Sequence, residues 1–89
     1  MSYTIQFAPR AEKDFKKLDR AIQRQLRPKI DALADNPRPH GCDKLEGNEN
    51  FYRVRSGDYR IVYQIQDKTL IIILVRIGPR REIYSKKMK

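Results

Sequence analysis

The chain has 89 residues, with 20 Lys/Arg against 11 Asp/Glu and a formal net charge of +9, enough for one domain with a single modest core. A lone cysteine, Cys42, excludes an internal disulfide, no Cys/His spacing suggests a metal, and the longest apolar run, Leu70 to Val75, is far too short to span a bilayer. The opening MSYTIQF has no basic leader before an apolar run, so a cytoplasmic protein with no membrane partner is expected.

Tyr3-Thr4-Ile5-Gln6-Phe7 alternates with period two, which predicts a strand burying Tyr3, Ile5 and Phe7. Pro9 suits the first turn of a helix whose inward stripe is Ala8, Ala11, Phe15 and Leu18. Asp19 can cap a second helix with Ile22, Leu26, Ile30 and Leu33 inward, and Pro28 predicts a kink or local break in it. The two read as a helical hairpin covering a core. Asn36-Pro37-Arg38-Pro39 stops the second helix, and a loop of about 14 residues follows, containing His40, Gly41, Cys42 and Gly47. His40 has no partner in sequence for acid–base work. Cys42 reads as an ordinary thiol, since no histidine–carboxylate pair accompanies it.

Residues 51–84, FYRVRSGDYRIVYQIQDKTLIIILVRIGPRREIY, organise the rest and read as three strands joined by two tight hairpins. A turn at Gly57-Asp58 sets Ser56 opposite Tyr59, Arg55 opposite Arg60, Val54 opposite Ile61 and Arg53 opposite Val62. One face then carries Tyr52, Val54, Ile61, Tyr63 and Ile65, and the other gathers Arg53, Arg55 and Arg60. A one-residue slip would mix apolar and charged residues on both faces, which the hydrophobic pattern forbids. In the second hairpin, pairing Gln66 with Thr69 puts Ile65 beside Leu70, Tyr63 beside Ile72 and Ile61 beside Leu74. Ile71, Ile73 and Val75 then floor the arginine side, while Arg76 falls toward the helices and snorkels its head to solvent. Gly78-Pro79 ends the strand, and the tail from Ser85 reads as a short, basic, frayed end.

Residues 53–89 hold ten Lys/Arg against three Asp/Glu, so the excess charge lies on the arginine segment. Such asymmetry fits nucleic acid, an acidic protein partner, or both, beside the plainer reading of a solvated basic face. Like charges directly across a strand pair destabilise it, so the cluster calls for an anion, and phosphate matches the guanidinium fork. The full constellation is Arg53, Arg55, Arg60, Arg80, Arg81 and Tyr84, without a carboxylate pair, metal site or nucleotide-binding glycine loop. Glycosidase, zinc-hydrolase and NTPase chemistries lack their parts here. RNA brings its own nucleophile, the 2′-hydroxyl. An enzyme acting on it needs in-line positioning, donors for the developing charge, and a proton acceptor. Arginines serve the second need and not the third, which leaves Tyr84 as the titrating group of the set. Its alternative role is stacking on a base.

KLEG at 44–47, YRVRSGDYRIVYQI at 52–65 and IGPRREIY at 77–84 resemble the RelE/ParE superfamily of toxin–antitoxin toxins, over the whole chain and on the RelE side most closely. The resemblance implies a single RelE-like domain over residues 1–89 of α+β class, an N-terminal strand and two-helix hairpin packed on an antiparallel sheet of about four strands, like a minimal microbial RNase. It implies ribosome-dependent cleavage of mRNA in the A site without a cofactor or metal, or, in the ParE manner, poisoning of DNA gyrase without nuclease activity. Carried over residue by residue, Arg53 and Arg55 fill the two basic positions of the first active-site strand. Arg60 would stabilise the attacked phosphate, Arg80 would assist the leaving 5′-oxygen, and Tyr84 would orient or activate the 2′-hydroxyl and stack on the base. Arg81, Lys44, Lys86 and Lys87 are expected to contact RNA or the ribosome. Well-known members carry lysines where Arg53 and Arg55 stand, and their replacement leaves the general base without an owner. The shorter ending between Gly78 and Tyr84 makes Arg81 an alternative to Arg80. The implied partners are the ribosome and an acidic, RelB-like antitoxin, in a heterotetramer or larger complex.

Overall fold

The computed structural model describes residues 2–47 and 50–79. Alternation around a tight turn decides its centre. Phe51–Ser56 (β3) and Tyr59–Gln66 (β4) pair antiparallel through Gly57-Asp58, with Ser56 on Tyr59, Arg55 on Arg60, Val54 on Ile61 and Arg53 on Val62, the register expected. Gly57 takes φ +63°, a left-handed conformation that a side chain resists, and an added Cβ would lie 3.1 Å from Gln25 Nε2.

Ile71–Pro79 (β5) pairs antiparallel with β4, two residues out of the expected register: Ile65 meets Ile72 and Tyr63 meets Leu74. The turn is longer than expected because Leu70 adopts φ +57°, a conformation no leucine advertises. An even shift keeps every side chain on its face, so Ile72 and Leu74 still enter the core. A bulge then leaves Val75 as an extra residue between the Tyr63–Leu74 and Val62–Arg76 pairs. It rephases the strand, seating Ile77 in the core opposite Ile61.

Thr4–Phe7 (β1) completes the other flank of β5, in parallel: Thr4 pairs with Ile71 and Phe7 with Leu74. A two-residue strand, Asp43–Lys44 (β2), pairs antiparallel with β3. Among the described residues the sheet is thus mixed and five-stranded, ordered β1-β5-β4-β3-β2; the expected antiparallel meander gains a parallel strand beside β5 and a short strand beside β3. The loop expected after Pro39 is correspondingly interrupted by β2. As an edge strand, β1 leaves Ile5 and Phe7 half-buried.

Pro9–Lys16 (α1) starts with proline in its first turn, and Arg20–Ala32 (α2) lays Leu26 and Ile30 on the sheet. Ala11, Leu26, Ile30, Leu33, Val54, Ile61, Tyr63, Ile65, Ile72, Leu74 and Ile77 form one core on that face. Asp19 stands at the N-cap of α2 without a capping side-chain bond. Gln23 closes the helix junction instead, its Nε2 donating to the carbonyls of Phe15 (2.9 Å) and Leu18 (3.1 Å). Of the kink or local break expected at Pro28, the break does not occur, since α2 runs through it from Arg20 to Ala32. Pro28 lies on the exposed side of α2, where water can satisfy the carbonyl that loses its amide partner.

Arg76 corrects another expectation. Its guanidinium does not reach for solvent: Nε donates to Asp14 Oδ2 of α1 at 2.8 Å, with the two side chains 20% and 10% exposed. The same oxygen accepts the Ile77 backbone N–H at 3.0 Å. β1 stops pairing at Leu74, and beyond that point one carboxylate of α1 bonds the β5 backbone.

Candidate nucleic-acid interface

The face of the sheet turned away from the helices carries the arginines in rows set by the registers. Asp43 of β2, Arg53 of β3 and Val62 of β4 make one row; Arg55 and Arg60 make the next. Rows on one face lie two residues apart along the strands, about 7 Å. Arg55 is exposed, whereas Arg60 is only 3% exposed. The sheet thus separates two guanidiniums at directly opposed positions by placing one in solvent and withdrawing the other. Arg53 Nη2 donates to Asp43 Oδ2 at 3.3 Å, and the side chains are 23% and 49% exposed. Ile71 and Ile73, opposite Gln66 and Gln64, supply the expected apolar floor on this side. Val75, the bulge residue, has no partner in that ladder.

The expected site residues divide three ways. Arg53, Arg55 and Arg60 share the face. Lys44 pairs with Tyr52, a residue of the core-facing set, so the β2 register turns Asp43 and not Lys44 toward the arginines. Arg80, Arg81, Tyr84, Lys86 and Lys87 lie outside the described residues. Asp43 escaped the sequence reading because a two-residue strand has no periodicity to detect. His40 is exposed and Cys42 half-buried against the core. Among the described residues, no group of three or more His, Cys, Asp or Glu converges on one point, and no helix is long and apolar enough to cross a membrane.

A second polar assembly fastens the loop that leads to β2. Arg38 donates to both oxygens of Asp67 (2.9 and 3.4 Å) and, through Nε, to the Tyr52 hydroxyl at 3.1 Å. Its guanidinium lies 5.2 Å from the centre of the Tyr52 ring, which stacks on Tyr63 at 6.1 Å. Tyr63 donates to the Pro37 carbonyl at 2.7 Å, and Tyr3 donates to Asp67 at 2.7 Å. Burial, and then Cys42 beside it, pushes the Tyr63 phenol well above its usual range, so it stays a donor. Arg38, followed by the Tyr3 hydroxyl, holds the Asp67 carboxyl below its ordinary value. Stability from this contact is therefore complete above the unfolded carboxyl's pKa and is lost as pH falls through the lower folded value. An NMR titration should find the Asp67 midpoint below 3.8, rising in Arg38→Ala as the main cause of the depression is removed.

Comparison with known proteins gives this geometry a context. Residues 5–84 match the family model described as the ParE toxin of the type II toxin–antitoxin system, parDE. The chain is 33% identical to the mRNA interferase toxin RelE of Escherichia coli K12, over 100% of this chain and 97% of that protein. It is 39% identical to a putative RelE-like toxin protein of E. coli, covering 96% and 93% of the two. The crystal structure of the isolated E. coli RelE toxin superposes with a TM-score of 0.79 at 30% identity, over 98% of this chain and 96% of that one. The intact E. coli RelBE toxin–antitoxin complex matches with a TM-score of 0.77 at 31% identity, covering 88% and 96%. With a family model matched over residues 5–84, a relative 33% identical over the whole chain and a solved RelE toxin sharing the fold, the chain belongs to the RelE/ParE family of type II toxin–antitoxin toxins.

Proposed function

We propose that this chain is the toxin of a toxin–antitoxin pair and an endoribonuclease that cuts mRNA in the ribosomal A site. The observation that carries the reading is the arginine face of β3 and β4, in a chain alike over its full length to a named mRNA interferase. The 2′-hydroxyl attacks the adjacent phosphorus, the bond to the 5′-oxygen breaks, and the products are a 2′,3′-cyclic phosphate and a 5′-hydroxyl. Arg60, withdrawn from water, is the donor best placed to stabilise charge on the phosphorane, because a fixed guanidinium in a low-dielectric setting needs no reorganisation. Arg55 and Arg53 bind flanking phosphates. Arg80, with Arg81 as its alternative, assists the leaving oxygen, and Tyr84 stacks on the base and orients the 2′-hydroxyl. Lys86 and Lys87 contact ribosomal RNA.

The cognate partner is an acidic, RelB-like antitoxin in a heterotetramer or larger complex, and the pair works in the cytoplasm. Relatives of similar fold crystallised as RelBE complexes support this, as does the excess of ten basic over three acidic residues in 53–89. The family description names ParE, which favours one other reading: a gyrase-poisoning toxin that cuts nothing.

Primer extension on a defined mRNA in a purified translation system, with wild type and Tyr84→Phe, tests the proposal. In-frame cuts that need the ribosome and disappear in the variant are expected. Undisturbed translation without cuts, together with inhibition in a gyrase supercoiling assay, would establish the other reading.

A further inference from the structure

Among the described residues, Arg53, Arg55 and Arg60 cannot take the 2′-hydroxyl proton, since a guanidinium hardly deprotonates. The β2–β3 register supplies a group that can. Asp43 stands on the row beside Arg53, with its Oδ2 on the Arg53 guanidinium at 3.3 Å and its side chain 49% exposed, open to a substrate. The tethered loop behind it fixes that position: Tyr63 bonds the Pro37 carbonyl and Arg38 is held by Asp67 and Tyr52. Resting on the endonuclease reading above, we propose that Asp43 is the general base, a catalytic residue that accepts the 2′-hydroxyl proton.

The step balances. As O2′ bonds to phosphorus, its proton passes to the Asp43 carboxylate. The P–O5′ bond breaks with its electron pair on O5′, which takes a proton from water. Protonated Asp43 neutralises the hydroxide so formed and returns to the carboxylate. Arg53 donates to one oxygen of the carboxylate, and the proton passes to the other. Tyr84 is left to stacking and orientation, with no need to ionise.

A merely structural Asp43 would act through Arg53, and a double-mutant cycle separates the two roles. Single-turnover cleavage of mRNA on programmed ribosomes, at saturating toxin, is measured for wild type, Asp43→Asn, Asp43→Glu, Arg53→Ala and the Asp43→Asn/Arg53→Ala pair. Loss of a general base predicts a fall of about 100-fold in Asp43→Asn with ribosome binding intact, and substantial recovery in Asp43→Glu. A loss on Asp43→Asn should persist in the Arg53→Ala background, though not at the same factor, since the two side chains touch. If Asp43→Asn cleaves like wild type, or is silent once Arg53 is gone, the assignment is overturned while the endonuclease reading stands. If wild type does not cleave, both fall.

Discussion

Replacing Arg60 with lysine is expected to lower single-turnover mRNA cleavage by about 100- to 1,000-fold, the usual cost of one transition-state donor. Lysine keeps the charge and loses the planar fork, so the loss would report the geometry of phosphate recognition and not net charge. Arg60→Ala would be less informative, because at 3% exposure the arginine stem fills space in the sheet and its removal costs packing as well. Arg55→Lys, at the exposed partner position, should cost much less. Equal losses at both positions would mean that burial contributes nothing to the role of Arg60. Cleavage unchanged in Arg60→Lys would remove Arg60 from the reaction. Circular dichroism of the variant checks that the fold persists.

Asp14→Ala should be the most damaging surface-near change to stability, at about 3 kcal/mol in urea unfolding. It strands the largely buried Arg76 guanidinium and the Ile77 N–H together, since one carboxylate oxygen serves both. Arg76→Ala should cost less, because Asp14 keeps the backbone donor. By contrast, Glu12→Ala, which breaks an exposed contact of 3.7 Å with Lys16, should leave the unfolding midpoint nearly unchanged. Near-equal effects of Asp14→Ala and Glu12→Ala would contradict the role given to Asp14.

What could be read beforehand follows from the range of each signal. The β3–β4 hairpin was legible because Gly57-Asp58 and strict alternation act within a dozen residues, and they delivered the Arg55–Arg60 opposition correctly. The β4–β5 register was not, since Leu70 at φ +57° lengthens a turn that Asp67-Lys68 seemed to close. The faces survived because the error was even. The partner of Arg76 was invisible for a different reason: Asp14 lies on the other side of the chain in sequence, and no local pattern links them. Parallel pairing of β1 with β5 was hidden in the same way. In the candidate site, residue types announced the arginines, but only the edge pairing of β2 could show which of Asp43 and Lys44 stands beside them.

The union of Thr4 with Ile71 has a kinetic consequence. Among the described strands, the second in spatial order is the last to be made, and it must enter between β1 and β4. Helices and the β3–β4 hairpin can form as soon as they are synthesised, but the sheet cannot close until β5 arrives. Joining such distant segments requires a large loss of chain entropy before any contact repays it, so folding is slower than local structure alone would allow. A nascent chain interrupted before Ile71 lacks the strand on which both halves converge. The sheet that supports the arginine hairpin is therefore completed late, and an incomplete product has no toxin fold to act with.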